Sequence, residues 1–433
     1  MSTTALLTDQ YELTMLDAAL RSGTAEHPAT FEVFARRLPE RRRYGVVGGT
    51  GRLLEALEHF RFGPDELGWL AEHHVVSAPT LEWLAGYRFS GNIDGYAEGE
   101  LYTAGSPVLT VEGTFAETVL LETLVLSILN HDSAVAAAAA LIVESANGRP
   151  VIEMGSRRTD PDAAVAAARA AYLAGFATTS NLEAGRRYAI PTAGTSAHAF
   201  TLLYPKEEDA FAAQVAALGP GTTLLVDTYD PDQGIRSAVA VAGRGLGAVR
   251  IDSGDLVSEA WRARHLLDEL GATSTRIIVT GDLDDHTLMA LAHAPVDGYG
   301  VGTNVVTGLG APTAGFVYKM VATGGQLGEA PRAVAKRSPG KATVGGRKWA
   351  WRIRAERPPE HFDGPPPRYE RPVAADLIGG DPQPPEVPNR ALQHRLVEGG
   401  SVVAPVDLEA ARAWHARVRG ELEPGEPLIS FRR

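Results

Sequence analysis

VIEMGSRRTDPDAAVAAARAAYLAGFATTSNLEAGRRYAIPTAGTSAHAF, residues 151–200, is the stretch that decides the fold of this chain. A short apolar segment, Val151 to Met154, has strand character and ends at a polar loop, Gly155-Ser156-Arg157-Arg158. Asp160-Pro161 then predicts a helix start, because an N-cap residue precedes Pro at the first helical position. Gly175 predicts the end of this Ala-rich helix.

The same strand–loop–helix unit recurs along the next part of the chain. Phe176 to Thr178 predicts a second strand, and Asn181 is suited to cap a second helix. Six or seven such units fit into about 190 residues, which indicates an α/β fold with a parallel barrel, complete or incomplete. The later predicted strands are Thr223 to Val226, Ala248 to Ile251, Arg276 to Val279 and Gly298 to Val301.

Polar residues follow the predicted strands, and in such folds the carboxyl ends of the strands hold the chemistry. Arg157 and Arg158 offer paired donors to a phosphate or carboxylate. Gly194 allows a close backbone approach, Thr195 offers a hydroxyl and His198 a titratable nitrogen. These residue types leave two interpretations open: an anion site, or surface ion pairs beside a packed loop histidine.

The regions before and after the barrel pattern predict a second, sandwich-like α+β domain. Asp9 is suited to cap a helix that contains Tyr11, and an aromatic residue at such a position is more often part of a core than a ligand platform. We expect domains at 1–130 and 131–320, with 321–433 packing back on the first. Further predicted elements are a small antiparallel sheet over Gly91 to Val111, a strand over Lys348 to Arg354, a Pro-rich connector over Pro358 to Pro367 and a helix over Leu408 to Leu422.

Two further patterns suggest anion binding, but only weakly. Gly48-Gly49-Thr50-Gly51 precedes a helical pattern as a phosphate loop does, yet it lacks the Lys-Ser or Lys-Thr that normally follows. Five arginines lie between Arg36 and Arg43, and a solvated loop is favoured over the edge of an anion site.

Composition limits the possible functions. The 433 residues carry a net charge of −12 and include no cysteine. The charge argues against nucleic-acid partners, and the missing cysteine excludes disulfides, thiol catalysis and cysteine-bound zinc. The N-terminal residues do not resemble a signal peptide, and the apolar run Ala134 to Val143 is too short to span a bilayer. We therefore expect a cytoplasmic protein.

Several motifs together resemble the nicotinate phosphoribosyltransferases, a family of type II phosphoribosyltransferases. The resemblance implies an α/β barrel beside a sandwich-like domain built from both chain ends, usually in a homodimer. It implies that nicotinate and 5-phosphoribosyl-1-diphosphate give nicotinate mononucleotide and diphosphate, the first step of NAD biosynthesis from nicotinate, assisted by ATP and Mg²⁺. The motifs are LTDQYELTM (7–15), FEVFARRLP (31–39), GSRR (155–158), GFATTSN (175–181), GTSAHAF (194–200), VRIDSGDL (249–256) and GVGTNVVT (300–307).

The resemblance also implies roles for single residues. His198 matches the histidine that ATP phosphorylates, and Thr195 matches the threonine beside the nicotinate ring. Arg250 matches the arginine that faces nicotinate, and Thr303 matches the threonine at the phosphoribosyl site. Tyr11 matches the tyrosine that stacks on nicotinate from the neighbouring subunit.

The chemistry of this reaction suits further residues of the chain. Positive charge develops on the ribose as diphosphate leaves, and Asp252 or Asp255 is placed to stabilise it. A glycine loop that includes Gly302 suits a terminal phosphate, as does Arg157. Mg²⁺ is normally bound largely by substrate oxygens and water, so we expect only a sparse set of protein ligands and assign no metal ligand from the sequence.

Other functions remain open at this point. One is a nicotinamide or quinolinate phosphoribosyltransferase, and another is a non-catalytic relative that binds NAD precursors. The resemblance implies that nicotinamide-using relatives have an aspartate at the position of Ser196. A carboxylate there would repel nicotinate, so Ser196 favours nicotinate as the substrate. The presence of both His198 and Arg250 favours an enzyme over a sensor.

Overall fold

A computed structural model describes residues 3–325, 331–338, 340–355, 373–422 and 428–432. Two compact units divide the chain: Met1–Ala137 with Thr313–Arg433, and Ala138–Pro312. The three-part domain division expected from the sequence stays a prediction, and the Pro-rich connector at 358–367 lies outside the described residues.

The described helices and strands are named in chain order. Those up to residue 145 are α1 (Gln10–Ser22), β1 (Pro28–Ala35), β2 (Gly45–Val46), α2 (Thr50–Glu58), α3 (Pro64–Glu72), α4 (Ala78–Ala85), β3 (Asn92–Tyr96), β4 (Leu101–Tyr102), β5 (Leu109–Thr114), α5 (Phe115–Val119) and α6 (Glu122–Ser145). Those from 151 to 306 are β6 (Val151–Glu153), α7 (Pro161–Leu173), β7 (Thr178–Thr179), α8 (Leu182–Tyr188), α9 (His198–Leu202), α10 (Glu207–Leu218), β8 (Thr223–Leu225), α11 (Pro231–Ala242), β9 (Ala248–Ile251), α12 (Leu256–Glu269), β10 (Arg276–Val279), α13 (Asp285–Ala290), β11 (Gly298–Val301) and α14 (Thr303–Val306), with 3₁₀ turns at Gly243–Gly245 and Leu291–His293. The remainder are β12 (Phe316–Thr323), β13 (Arg332–Ala333), β14 (Trp349–Ala355), β15 (Val373–Gly379), β16 (Asn389–Ala391), β17 (Gln393–Glu398), β18 (Ser401–Val402), α15 (Leu408–Arg419) and β19 (Ile429–Arg432).

The second unit is built on a six-stranded sheet in the order β7-β6-β11-β10-β9-β8. Every pair in it is parallel, and helices connect successive strands. The order leaves β7 and β8 at opposite ends, so the described strands form a half-barrel. The parallel α/β architecture is confirmed, in its incomplete form.

Local signals explain where these elements begin. Asp160 accepts from the backbone N–H groups of Asp162 and Ala163 at 3.0 and 3.3 Å, and Asn181 accepts from Ala184 at 2.8 Å. Both predicted N-caps are therefore confirmed. The second strand was predicted too early, at Phe176, because the Phe176 N–H still bonds to Ala171 O at 3.1 Å as the helix ends.

The first unit combines strands from both ends of the chain. Its seven-stranded sheet has the order β13-β12-β1-β5-β3-β17-β18, in which β1 lies between β5 and β12. All six of these pairings are antiparallel. A four-stranded sheet, β16-β14-β15-β19, and the β2-β4 pair complete the described strands. The predicted α+β domain from the N- and C-terminal parts is confirmed.

The apolar run at 134–143 is part of a longer helical stretch, Phe115–Ser145. Phe115–Ser145 is long and apolar enough to cross a membrane by length and composition, and it is the one such stretch among the described residues. In the most apolar 18 residues of this stretch, 67% is buried inside the protein. That burial is what a core helix shows.

The glycine motif at the start of α2 binds a carboxylate of the protein itself through its backbone N–H groups. Gly49 N–H donates to Glu98 Oε1 at 2.7 Å, and Gly51 N–H donates to Glu98 Oε2 at 3.0 Å. Glu98 is buried, with 3% of its surface exposed. Since a helix N-terminus stabilises one anion at this point, Glu98 takes the place that a bound phosphate would have.

We predict that Glu98→Gln lowers the free energy of unfolding by about 2 kcal/mol, because two charge-assisted hydrogen bonds to the start of α2 lose their charge. Urea denaturation measures this loss. Glu55→Gln, an exposed position on α2, is the control and should change stability little. Equal stability of the two variants would contradict the role given to Glu98.

Candidate active site

Arg250 lies at the centre of a polar cluster at the carboxyl ends of the parallel strands. It belongs to β9, and 12% of its side chain is exposed. Its Nε donates to Thr280 Oγ1 at 3.0 Å and its Nη1 donates to Thr195 Oγ1 at 2.7 Å. Nη1 also donates to Ser196 O at 3.2 Å, and Nη2 donates to Asp252 Oδ1 at 3.2 Å. Three separate chain segments are thereby joined by one guanidinium.

Asp252 is the carboxylate of this cluster, with 34% of its side chain exposed. Partial burial alone would raise its pKa. The hydrogen bond from the Thr280 hydroxyl and the charges of Arg250 and His198 outweigh burial, so the pKa of Asp252 lies below its usual value. The carboxylate is therefore ionised at neutral pH.

The end of β8 connects His198 to the same cluster. Asp227 Oδ2 accepts from Asp252 N–H and from Ser253 Oγ, both at 2.8 Å. The next residue, Thr228, lies with its Oγ1 3.1 Å from Nδ1 of His198, the first residue of α9. Asp227 is 8% exposed, and its Oδ1 has no hydrogen-bond partner among the described residues.

A second group of loops lies at the ends of the paired strands β6 and β11. A Cβ added at Gly155 would lie 2.2 Å from Val306 Cγ1, and one at Gly302 would lie 3.1 Å from Met154 O. Both positions therefore favour glycine, and the loop that carries Arg157 approaches the start of α14 closely. Arg157 itself is exposed.

Buried Glu153 holds the beginning of that loop. Its two carboxylate oxygens accept from Gly155 N–H and from Thr179 Oγ1, each at 2.5 Å. Burial raises the pKa of Glu153, while these two hydrogen bonds lower it by less. The carboxylate thus joins the ends of β6 and β7 beneath the arginine loop.

Comparison with known proteins identifies the family. Residues 6–130 match the family model described as nicotinate phosphoribosyltransferase (NAPRTase) N-terminal domain. The nicotinate phosphoribosyltransferase pncB1 of Mycobacterium tuberculosis (strain ATCC 25618 / H37Rv) is 55% identical over 444 residues, which cover 99% of this chain and 94% of that protein. The chain belongs to the nicotinate phosphoribosyltransferase family.

Other members of the family agree with this assignment. The nicotinate phosphoribosyltransferase of Bacillus subtilis (strain 168) is 37% identical over 358 residues, covering 81% of this chain and 73% of that one. The crystal structure of human nicotinic acid phosphoribosyltransferase superposes with a TM-score of 0.78 at 25% identity, over 96% of this chain and 94% of that one.

The structure groups most of the site residues that were predicted from the sequence. Thr195, Arg250 and Asp252 are in direct contact, and His198 joins them through the end of β8. Arg157, Gly302 and Thr303 form the second group, on the loops after β6 and β11. Their roles in binding and catalysis stay predictions.

Tyr11 lies on α1 in the first compact unit, whereas the other predicted site residues belong to the second. Its side chain is half-exposed, with 45% of the residue accessible, unlike the core aromatic first favoured for this position. Partial burial, together with the carboxylates of Glu122 and Glu12, raises the pKa of its phenol. A phenol in this setting stays neutral at physiological pH.

Three residues of this candidate site were not singled out from the sequence: Thr280, Asp227 and Glu153. The first two do follow predicted strands, so their position was a usable signal. Glu153 looked like part of an ordinary strand, and its burial depends on neighbouring strands far along the chain.

The arginine-rich segment after β1 also takes part in a cavity, within the first compact unit. Arg36 lines a space of about 810 Å³ together with Phe34, Arg347 and Lys348. Arg347 is paired with Asp94 and Glu112, and Lys348 is paired with Glu32. A purely solvated loop is therefore too simple a description of Arg36, although most of the cationic charge in this wall is neutralised.

Proposed function

We propose that this enzyme joins nicotinate to 5-phosphoribosyl-1-diphosphate, giving nicotinate mononucleotide and diphosphate with ATP hydrolysis. The observation that carries the proposal is the Arg250 guanidinium, fixed between Thr195 and Asp252 at the carboxyl ends of the half-barrel. This would be the first step of NAD biosynthesis from nicotinate. We place it in the cytoplasm, as the composition of the chain suggests.

Arg250 is suited to bind the carboxylate of nicotinate. A guanidinium has five N–H donors, and those of Nη1 point to the Thr195 hydroxyl and the Ser196 carbonyl, both in the loop before α9. A substrate carboxylate would accept from Nη1 in place of these weaker acceptors, since a hydrogen bond between two charged groups is stronger. Nicotinamide lacks the negative charge that makes this exchange favourable.

Asp252 is suited to stabilise the positive charge that develops on the ribose as diphosphate leaves. Its ionised state at neutral pH supports this role. Asp255, the alternative from the sequence, instead caps α12: its Oδ1 accepts from Val257 and Ser258 N–H, and its Oδ2 accepts from Ser258 Oγ. We therefore assign the electrostatic role to Asp252.

The family implies Mg²⁺, and the residues at the end of β8 fit that ion. Asp227 Oδ1 is a buried carboxylate oxygen without a partner among the described residues, while Asp227 Oδ2 accepts from the backbone N–H of Asp252. The described part of the chain has no cluster of three or more His, Cys, Asp or Glu arranged for a metal. Such a sparse set suits Mg²⁺, which keeps waters and binds phosphate oxygens, so Asp227 and Asp252 would hold it and the ion would neutralise the diphosphate.

His198 is suited to accept a phosphoryl group from ATP. Thr228 holds Nδ1, so Nε2 is the nitrogen that would attack the γ-phosphorus as the bond to ADP breaks. The short helix that begins at His198 follows directly on the loop bound to Arg250. Phosphorylation of His198 would therefore act on the loop that contacts the nicotinate site.

We also propose a homodimer in which Tyr11 of one subunit completes the site of the other. The support is the family resemblance of LTDQYELTM and the 45% exposure of Tyr11. A two-fold arrangement would give both subunits the same exchange of N-terminal residues.

One assay tests the proposed activity as a whole. Product formation from nicotinate and from nicotinamide is measured with 5-phosphoribosyl-1-diphosphate, with and without ATP. We expect turnover of nicotinate, stimulated by ATP, and little turnover of nicotinamide. Preferred use of nicotinamide or quinolinate would support the rival transferases, and binding without turnover would support a non-catalytic relative.

We predict that Arg250→Lys raises the Michaelis constant for nicotinate by about 10- to 100-fold, because lysine keeps the charge but loses the planar fork. Thermal stability should remain nearly unchanged. Steady-state kinetics and thermal unfolding measure the two effects. Arg276→Lys, an exposed position at the start of β10, is the matched control. A loss of stability with an unaltered Michaelis constant would show that Arg250 is only structural.

We predict that His198→Ala abolishes the stimulation by ATP and leaves slow, ATP-independent synthesis, since the nucleophile for the phosphoryl group is gone. Rates at several ATP concentrations measure this. His265→Ala, an exposed histidine on α12, should keep the full stimulation. Normal stimulation in the His198 variant would rule out the phosphohistidine.

We predict that an inactive Tyr11→Ala variant and an inactive Arg250→Ala variant restore activity when mixed. Random exchange makes half of the dimers mixed, and each mixed dimer has one intact site, so about a quarter of wild-type activity should return. Exchange is followed with differently tagged subunits. If mixed dimers form and remain inactive, the sites are not shared.

A further inference from the structure

Thr280 belongs to the Arg250 cluster, and the family resemblance gives it no role. It follows β10, which pairs with β9 so that Ile278 lies opposite Arg250 and Val279 opposite Ile251. Only 3% of Thr280 is exposed. Its hydroxyl lies between Arg250 Nε, at 3.0 Å, and Asp252 Oδ1, to which it is also hydrogen-bonded.

The chemistry of the two neighbours fixes the direction of these hydrogen bonds. A guanidinium N–H only donates, and an ionised carboxylate only accepts. The Thr280 hydroxyl must therefore accept from Arg250 and donate to Asp252. A valine side chain has the same shape and can do neither.

The methyl group of Thr280 has a fixed place as well. A Cβ added at Gly300, on the neighbouring strand β11, would lie 2.5 Å from Thr280 Cγ2 and 2.7 Å from Met154 Sδ. The missing side chain of Gly300 thus makes room for this methyl. Because a β-branched residue has few χ1 rotamers, fixing the methyl also fixes the hydroxyl.

The backbone around Thr280 is held equally closely. Its N–H bonds to Ile251 O at 2.9 Å. Gly281 follows with φ +99°, and a Cβ there would lie 2.4 Å from Asp252 O. The hydroxyl is thus positioned from its own backbone, from β9 and from β11 together.

The position of the hydroxyl prevents a competing arrangement of the charges. Arginine and carboxylate groups prefer a two-pronged pair that uses Nε and one Nη. In this protein Nη2 donates to Asp252, but Nε reaches Asp252 only through the Thr280 hydroxyl. Without that hydroxyl, Arg250 could rotate into a direct two-pronged pair with Asp252 and draw Nη1 away from the loop at Thr195.

We propose that Thr280 is a positioning residue for substrate selection, which holds Arg250 in the plane that presents Nη1 to the carboxylate of nicotinate. This inference rests on the proposed function, in which Arg250 binds that carboxylate. Thr280 acts through Arg250 and does not itself touch the acid.

The experiment compares four substitutions in the full-length enzyme. Thr280→Val removes the hydroxyl and keeps the shape, Thr280→Ala removes both groups, and Thr280→Ser keeps the hydroxyl. Thr275→Val is the matched control: Thr275 is 1% exposed just before β10, and its hydroxyl donates to Leu246 O at 3.0 Å. The readouts are the Michaelis constant for nicotinate, the inhibition constant of nicotinamide and the thermal midpoint.

We expect Thr280→Val and Thr280→Ala to raise the Michaelis constant for nicotinate about tenfold, as for one lost hydrogen bond to a charged group. The inhibition constant of nicotinamide should change less than about twofold, since an amide gains little from the guanidinium charge. Thr280→Ser should recover most of the affinity for nicotinate. Thr275→Val should lower the thermal midpoint without changing either constant.

Two results would overturn the inference: an unchanged Michaelis constant in Thr280→Val, or no recovery in Thr280→Ser. If Thr280→Val does not fold, the comparison of Thr280→Ala with Thr280→Ser decides. Arg250→Lys separates this failure from that of the proposed function. If Arg250→Lys raises the Michaelis constant for nicotinate and Thr280→Val does not, only the role of Thr280 is rejected. If neither variant changes that constant, Arg250 is rejected as the site of the nicotinate carboxylate.

Discussion

The pairing of one nearly buried guanidinium organises the candidate site. A charge at this depth is stable only with partners, and Arg250 finds them on the loop before α9, after β9 and after β10. Asp227 extends the network by accepting from the Asp252 N–H. These partners can meet only if neighbouring strands are parallel and in register, because only then do their carboxyl ends lie at one edge. The contacts of Arg250 therefore depend on the parallel register of the sheet.

Glycine determines how closely the segments around this edge approach one another. At Gly155, Gly300 and Gly302 an added methyl group would meet a neighbouring side chain or carbonyl. Each absent side chain allows a loop or strand to come nearer to the next one. The motifs that resemble the family therefore carry two kinds of information, since the polar residues supply donors and charge while the glycines set their spacing.

Much of this fold follows from local sequence, whereas the contacts within the site do not. The predicted strands at 248–251, 276–279 and 298–301 agree with the structure to the residue, because short apolar runs there end at Asp, Thr or Gly. The Arg250–Thr280 contact joins residues 30 positions apart, so it depends on strand register, which periodicity does not reveal. The carboxylate that binds the Gly48–Gly51 motif belongs to Glu98, 49 positions from Gly49, and only the folded chain brings it there. His198 and Thr195 were candidates by residue type alone, whereas Arg250 and the roles of all three come from the family motifs, and those roles await the experiments.

The mixed origin of the seven-stranded sheet has a consequence for how the chain is made on the ribosome. Strand β1 begins at Pro28, but its neighbour β12 begins only at Phe316. At synthesis rates of about 5–20 residues per second, the first strand waits roughly a quarter of a minute to a minute for that partner. The parallel unit can fold during this interval, whereas β1 keeps an unpaired apolar edge until later synthesis covers it. The nascent chain is therefore most exposed to aggregation and to chaperones while it is still being translated.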